Sequence, residues 1–297
     1  MTRSGFVALA GRPNVGKSTL VNAIVGAKVA IVSDKPQTTR RAIRGVATGT
    51  DWQLILVDLP GVQRPRDALT DRMQRRVEQE LGECDAALLV VNGEQGPGPG
   101  DRWIARALAG SPGPVAVAVH KVARLGRAAV AEALQGFADL TDEAELEGEI
   151  FPISARRGTG VPALVEHLVS LVPEGPLYYP PEDRTDMARE VLLSELIREQ
   201  VLARTFQELP HAVEVEVAEI EEDRDDLTAI HANVWTETES QKGIVIGAGG
   251  RMVKAIGVAA RRELERELGR KVHLELTVRV RRRWRADDAL LDRLGIE

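Results

Sequence analysis

The residues best suited to chemistry stand near the start of the chain. Gly11-Arg12-Pro13-Asn14-Val15-Gly16-Lys17-Ser18 has the spacing G-x-x-x-x-G-K-[ST], directly after an apolar run and directly before a helical pattern that begins with Ser18 and Thr19. Glycines let a backbone wrap closely round phosphate oxygens, successive N–H groups and a helix N-terminus favour the anion, and Lys17 adds a full charge. Ser18 would ligate magnesium through its hydroxyl. About forty residues on, Asp58-Leu59-Pro60-Gly61 follows a second apolar run, where an aspartate can hold the magnesium water shell and the Gly61 N–H can meet a γ-phosphate. Between them lies Pro36-Gln37-Thr38-Thr39-Arg40. A threonine hydroxyl there can close on magnesium while a γ-phosphate is present and release when it leaves. Lys17, Thr39 and Gly61 are the expected catalytic groups, and Ser18, Thr39 and Asp58 the expected metal set. After Gly61 stands Val62, which can neither orient nor deprotonate a water, so slow intrinsic hydrolysis is expected.

A second cluster lies near the other end. Gly243-Ile244-Val245-Ile246-Gly247-Ala248-Gly249-Gly250 runs straight into Arg251-Met252-Val253-Lys254, so a tight G-x-x-G loop opens a basic amphipathic helix. The loop, the local positive charge and the α+β setting resemble a KH domain, and that resemblance implies close approach of a sugar-phosphate backbone to the small loop residues, with Ile244, Ile246 and Ile256 as candidates to line an apolar groove for unstacked bases. Lys242, Arg251 and Lys254 are the nearby cations. Trp284, among arginines, either stacks on a base or caps a sheet.

These groups need elements to hold them. Through the first half, short apolar runs (6–10, 54–57, 86–91, 115–119, 150–153) alternate with helical patterns (18–25, 69–81, 161–171), the rhythm of a mostly parallel sheet covered by helices. Residues 93–100 read as a Gly/Pro loop. The stretch 173–186 holds four prolines, two of them adjacent at Pro180–Pro181, and continues neither helix nor sheet. Beyond it, helical spacing at 190–202, alternation of Val213, Val215 and Val217 with glutamates, a strand at 228–234, a helix at 251–268 and a strand at 272–280 make an α+β unit. The expected domains are 1–173, a linker 174–186, and 187–297.

The chain of 297 residues is 43% apolar and 28% charged, an ordinary globular balance with room for two cores. The single cysteine, Cys84, cannot close an internal disulfide, which fits a reducing cytoplasm. The start lacks the pattern of a secretory signal, and no apolar run approaches the ~18 residues of a membrane span. Net charge is −6, yet residues 240–285 hold thirteen Lys/Arg against four Asp/Glu, a local +9 that leaves −15 on the remainder. Such asymmetry suits a basic surface that meets a polyanion.

The phosphate loop, D-x-x-G and intervening threonines together resemble the translation-factor class of GTPases. Gly-Arg-Pro-Asn-Val-Gly-Lys-Ser resembles its ribosome-assembly branch, and Pro36–Arg40 narrows this toward the Era family. The resemblance runs from Phe6 to about Trp284 and implies a P-loop α/β GTPase domain followed by an α+β type II KH domain. It implies GTP and GDP with Mg2+, an apolar residue after Gly61 as normal, and K+ held by Asn14, although Asn14 reads equally as a turn residue. It further implies binding to 16S rRNA near its 3′ end, assistance to 30S subunit assembly, a monomer, and a cytoplasmic protein with weak peripheral attachment at the inner membrane face. Ala248 departs from the basic residue common in the KH loop.

In this class guanine is read by Asn-Lys-x-Asp after one strand and a Ser-Ala-Lys-like loop after the next. Ser154-Ala155-Arg156 matches the second. The first reads His120-Lys121-Val122-Ala123, with an alanine where the family has its aspartate. A methyl accepts no hydrogen bond from the guanine N1–H and amine, so selectivity stands to fall by ~10–100-fold. The Lys121 stem can still pack on a base and the Ala155 N–H can still meet O6. The rival reading is an RNA-binding assembly factor whose nucleotide site is degenerate or base-unselective.

Overall fold

The computed structural model describes residues 2–35, 37–61, 67–206, 209–224 and 226–296. These fall into two compact units: 1–30, 39–66 and 70–186 form one, and 31–38, 67–69 and 187–297 the other.

The first unit is a three-layer α/β/α structure. Its strands are β1 (Arg3–Ala10), β2 (Ile43–Thr48), β3 (Trp52–Asp58), β4 (Ala86–Asn92), β5 (Val115–His120) and β6 (Ile150–Pro152), in the order β2-β3-β1-β4-β5-β6. All neighbours pair in parallel except β2 with β3. The central strands are nearly continuous Val, Leu, Ile and Ala because both faces are covered. Helices α1 (Lys17–Val25) and α5 (Val161–Leu171) bury Leu20, Val21, Leu164 and Leu168 against Val7, Leu9, Leu54 and Leu88 on one face. On the other, α3 (Pro99–Ala109) and α4 (Arg127–Glu143) bury Ile104, Leu108, Phe137 and Leu140 against Leu89, Val91, Val117 and Val119. Val77 of α2 (Ala68–Glu83) covers Val57 and Leu59.

Three of these elements, β2, α3 and α4, were not anticipated. β2 runs antiparallel on the sheet edge, with Ile43 opposite Asp58. α3 begins inside the supposed Gly/Pro loop: Pro99 occupies its first turn, where a missing N–H costs nothing, and Asp101 accepts from the Gly98 N–H at 2.9 Å. Residues 174–186 pack on the same unit. The Arg184 carbonyl accepts from the Val46 N–H at 2.8 Å, and Gln53 binds the backbone of Tyr178 and Tyr179.

The second unit carries α6 (Arg189–Leu202), α7 (Leu209–Ala212), β7 (Glu214–Arg224), β8 (Leu227–Thr236), α8 (Glu239–Ile246), α9 (Arg251–Leu268), β9 (Lys271–Val280) and α10 (Asp288–Arg293). Its sheet order is β7-β8-β9, antiparallel then parallel. β8 alternates buried and half-buried positions along its whole length, as a strand with one covered face must. Helix α9 turns Ile256, Ala260 and Leu264 into the core with Leu193, Ile197, Val215, Ile230 and Val234. Among these apolar side chains sits Arg198, fully buried, within 2.6 Å of Glu195 and 3.3 Å of Glu214, with its guanidinium also donating to the Thr38 carbonyl.

Candidate nucleotide site and nucleic-acid interface

The phosphate loop joins the end of β1 to the start of α1. Gly16 has φ 111°, a left-handed value that favours glycine, and a Cβ there would meet His120 Nδ1 at 2.2 Å. Lys17 is 6% exposed, and its Nζ donates to the Gly11 carbonyl at 2.9 Å and the Arg12 carbonyl at 3.3 Å. Burial lowers the Lys17 pKa from 10.5 to about 8, against the opposing pull of the Asp58 charge. Gly61 approaches the loop so closely that a Cβ would meet the Pro13 backbone at 2.9 Å.

Three oxygen donors converge beside this loop. The Ser18 hydroxyl donates to Asp58 Oδ2 at 2.6 Å, Thr39 Oγ1 lies 3.2 Å from Ser18 Oγ, and Thr39 reaches Asp58 Oδ2 at 3.4 Å. Thr39, rather than Thr38, faces this point; the Thr38 hydroxyl donates instead to the Lys35 carbonyl. Burial raises the Asp58 pKa, while Lys17, Ser18 and Thr39 pull it down. Asp58 Oδ1 is buried without a hydrogen-bond partner among the described residues. The Asp58 carboxylate, with the Ser18 and Thr39 hydroxyls gathered at its Oδ2, is a hard, oxygen-only donor set that fits Mg2+, which binds through one or two carboxylates and completes its shell with water and phosphate. Pro36 and Val62 lie outside the described residues.

At the other end of the site, β5 delivers His120, 4% exposed, between two loops. Its Nδ1 lies 2.9 Å from the Val15 carbonyl, and its Nε2 accepts from the Ala155 N–H at 3.2 Å. Since Nε2 accepts, the ring is neutral and Nδ1 carries the proton that Val15 receives. Burial is the main force holding the His120 pKa below 6.5. The Val15 hydrogen bond and Glu94 oppose it, and Lys121 and Arg156 add to it. Lys121 adopts φ 68° and donates to the Asn14 carbonyl at 2.8 Å, which lays its stem along the loop. Asn14 is exposed with φ 63°, and Thr19 is half-buried in the first turn of α1. Ser154 is buried and its N–H donates to the Thr159 carbonyl, while Arg156 is exposed. Ala123 is half-buried in a short turn after β5.

The sequence reading missed Arg12, whose Nε donates to buried Asp101 at 2.8 Å and so braces the loop against α3. It missed the Arg198 cluster as well, for which the i,i+3 pair Glu195–Arg198 inside an apolar helix was the available signal.

In the second unit the G-x-x-G turn is Gly247–Gly250, with φ of 72°, 61° and 75° at Gly247, Gly249 and Gly250. The Gly250 N–H closes on the Gly247 carbonyl at 3.0 Å, and Ala248 and Gly249 stand exposed at the tip. Gly243, Ile244 and Ile246 belong to α8 rather than to the loop. That helix is started by a capping box in which the Thr238 hydroxyl accepts from the Gln241 N–H. Ile244 is 53% exposed and Ile246 half-buried, but Ile256 is fully buried in the core and lines no groove. Arg251 and Lys254 are exposed on the first turns of α9, and Lys242 is half-buried. Trp284 is fully buried and donates through Nε1 to the Ala212 carbonyl at 2.9 Å, which removes it from base stacking.

A family model described as 50S ribosome-binding GTPase matches residues 6–121, and one described as KH domain matches 208–285. GTPase Era of Mycobacterium tuberculosis (strain ATCC 25618 / H37Rv) is 46% identical over 298 aligned positions, covering 98% of each chain. GTPase Era of Mycobacterium avium (strain 104) is 45% identical over 99% of this chain and 98% of its own. A crystal structure of Era in complex with MgGDPNP and nucleotides 1506–1542 of 16S ribosomal RNA superposes with a TM-score of 0.94 at 34% identity, covering 100% of this chain and 99% of that one. A point variant of Aquifex aeolicus Era bound to GDP.AlF4- gives a TM-score of 0.92 at 34% identity over 99% of both. With a phosphate loop and three converging oxygen donors on one unit, a G-x-x-G turn on the other, and relatives alike over 98% of their length, the chain belongs to the Era family of GTPases.

Proposed function

We propose that this GTPase is a slow switch that binds 16S rRNA near its 3′ end and assists assembly of the 30S subunit in the cytoplasm. The observation that carries the reading is the convergence of Ser18, Thr39 and Asp58 beside the loop that holds Lys17. Ser18, Thr39 and Asp58 would hold Mg2+, and Lys17 with the N–H groups of Gly11 to Thr19 would hold the phosphates. Gly61 would meet the γ-phosphate, and His120, Lys121, Ser154, Ala155 and Arg156 would flank the base. K+ at Asn14 would add the positive charge that no side chain after Gly61 is expected to supply. Residues 1–173 would form the switch, 174–186 the connection, and 187–297 the KH module, with Gly247–Gly250, Lys242, Ile244, Ile246, Arg251 and Lys254 against the RNA. A monomer with weak attachment to the inner membrane face completes the reading.

Its test is a filter-binding assay with an oligonucleotide of the 16S rRNA 3′ end, on full-length protein and on Lys17→Ala. The variant should lose GDP and keep RNA affinity in the nucleotide-free state, whereas only the parent protein should change its RNA affinity when a GTP analogue is added. Equal loss of both ligands in the variant would sink the idea of separable sites.

A further inference from the structure

The base end of the nucleotide site is rich in donors and poor in acceptors. The loops that flank it read His120-Lys121-Val122-Ala123-Arg124-Leu125-Gly126 and Ser154-Ala155-Arg156-Arg157-Gly158, and neither contains an Asp, Glu, Asn or Gln. Glu94 is the nearby carboxylate, and it lies 3.5 Å from Arg124, an ion pair of its own. What the site offers a purine ring is the buried Ala155 N–H, held at 3.2 Å by His120 Nε2, and the stem of Lys121, pinned over the loop by its bond to Asn14.

Purines differ in what they present to such a surface. Guanine, hypoxanthine and xanthine all carry an oxygen acceptor at position 6, whereas adenine carries an amine donor there. At position 2 guanine has an amine, hypoxanthine a hydrogen and xanthine an oxygen. An N–H that can exchange His120 Nε2 for a carbonyl oxygen gains a partner from the first three and faces a second donor in the fourth. With adenine the Ala155 N–H keeps His120 Nε2 and the 6-amine is the donor buried against it without a partner, which is costly, so the 6-position is read strongly. The half-buried Ala123 methyl neither donates nor accepts, so the 2-position meets no partner there that would distinguish amine, hydrogen or oxygen.

We propose that this site reads a purine only at its 6-oxo group, through the Ala155 N–H, and leaves the 2-position unread, so that guanosine, inosine and xanthosine nucleotides are accepted alike. The inference rests on the nucleotide-site reading above and names the substrate class of that site. A bidentate carboxylate would discriminate by about 10–100-fold, and its absence removes that factor.

The experiment is one calorimetric titration series on the full-length wild-type chain with Mg2+, using GDP, IDP, XDP and ADP. GDP, IDP and XDP should fall within about threefold of one another and ADP at least about tenfold weaker. Ala123→Asp should then tighten GDP over IDP and XDP by about tenfold. Wild-type preference for GDP over IDP of about tenfold or more overturns the inference while the GTPase reading stands. ADP binding as tightly as GDP also overturns it. Absence of binding by all four diphosphates overturns the nucleotide-site reading beneath it.

Discussion

The Ser18 hydroxyl donates to Asp58 Oδ2 at 2.6 Å, joining residues that lie at the start of α1 and the end of β3. This hydrogen bond occupies the carboxylate oxygen that would turn toward a magnesium shell, and Asp58 Oδ1 is left buried and unpaired among the described residues. Ser18→Ala removes one oxygen donor and leaves the carboxylate in place. Removing a charge-assisted contact of this kind costs roughly 1.5–3 kcal/mol. The gain in GDP affinity on adding Mg2+ should fall by about 10–100-fold, which a titration with and without EDTA measures. RNA affinity should not change.

Protonation of His120 should couple the site to pH. Its folded-state pKa lies below the 6.5 of a free imidazole, mainly because burial disfavours the cation. The stability it contributes is therefore fully present above pH 6.5 and is lost as pH falls toward the lowered folded value. Lys121, Arg156 and Glu94 face the ring from the neighbouring loops, and the two cations deepen the effect. Urea midpoints of wild type and His120→Asn, taken from about pH 7.5 down to about 5, should diverge, with wild type losing more. Parallel curves would mean that the ring does not titrate in this range.

Arg198→Met should destabilise the chain strongly. The guanidinium is fully buried with Glu195 and Glu214, and its removal strands two buried carboxylates. Breaking such a cluster from one side costs about 3–5 kcal/mol. A thermal melt should show an early transition, and adding Glu195→Leu and Glu214→Leu should restore most of the loss.

Arg251→Gln and Lys254→Gln should weaken RNA binding of every sequence about equally, since phosphate contacts carry no base information. Each should lower the slope of log affinity against log salt by about 1. Gly249→Asp, at φ 61° on the exposed tip, should do more by adding both strain and a like charge. An unchanged salt slope in both single-cation variants would remove these side chains from the interface.

Much of this was legible because the chemistry is local in sequence. Gly11 to Ser18 can be recognised as a string, and α5 and α9 run between the bounds that their apolar spacing gives. What was hidden depends on partners distant in the chain. β2 is a strand because β3 is there to pair with it, and Ile43–Thr48 alone carries little pattern. α8 was obscured by Gly243, which suggested a longer loop, although Thr238 and Gln241 mark a helix start. His120 reads as a defect in a string but stands in the structure as a bridge, since its two nitrogens contact residues 105 and 35 positions away. Ile256 was misplaced in the groove, and Trp284 stayed open between base and sheet, because helical phase and a single tryptophan do not say which side the sheet lies on.

The segment 174–186 has a consequence for the chain before and after it folds. β2 is an outer strand of the six-stranded sheet, and an outer strand offers unpaired N–H and carbonyl groups to any passing chain. Here the Val46 N–H is taken by the Arg184 carbonyl, and Thr185 bridges to Gly45. The prolines that end helix and sheet also make this covering piece a poor template for further growth. The opposite rim is the three-residue β6, too short to recruit a partner. The covering piece thus occupies the middle of the β2 rim, and a protease that nicked 174–186 would expose that rim to edge pairing with another chain.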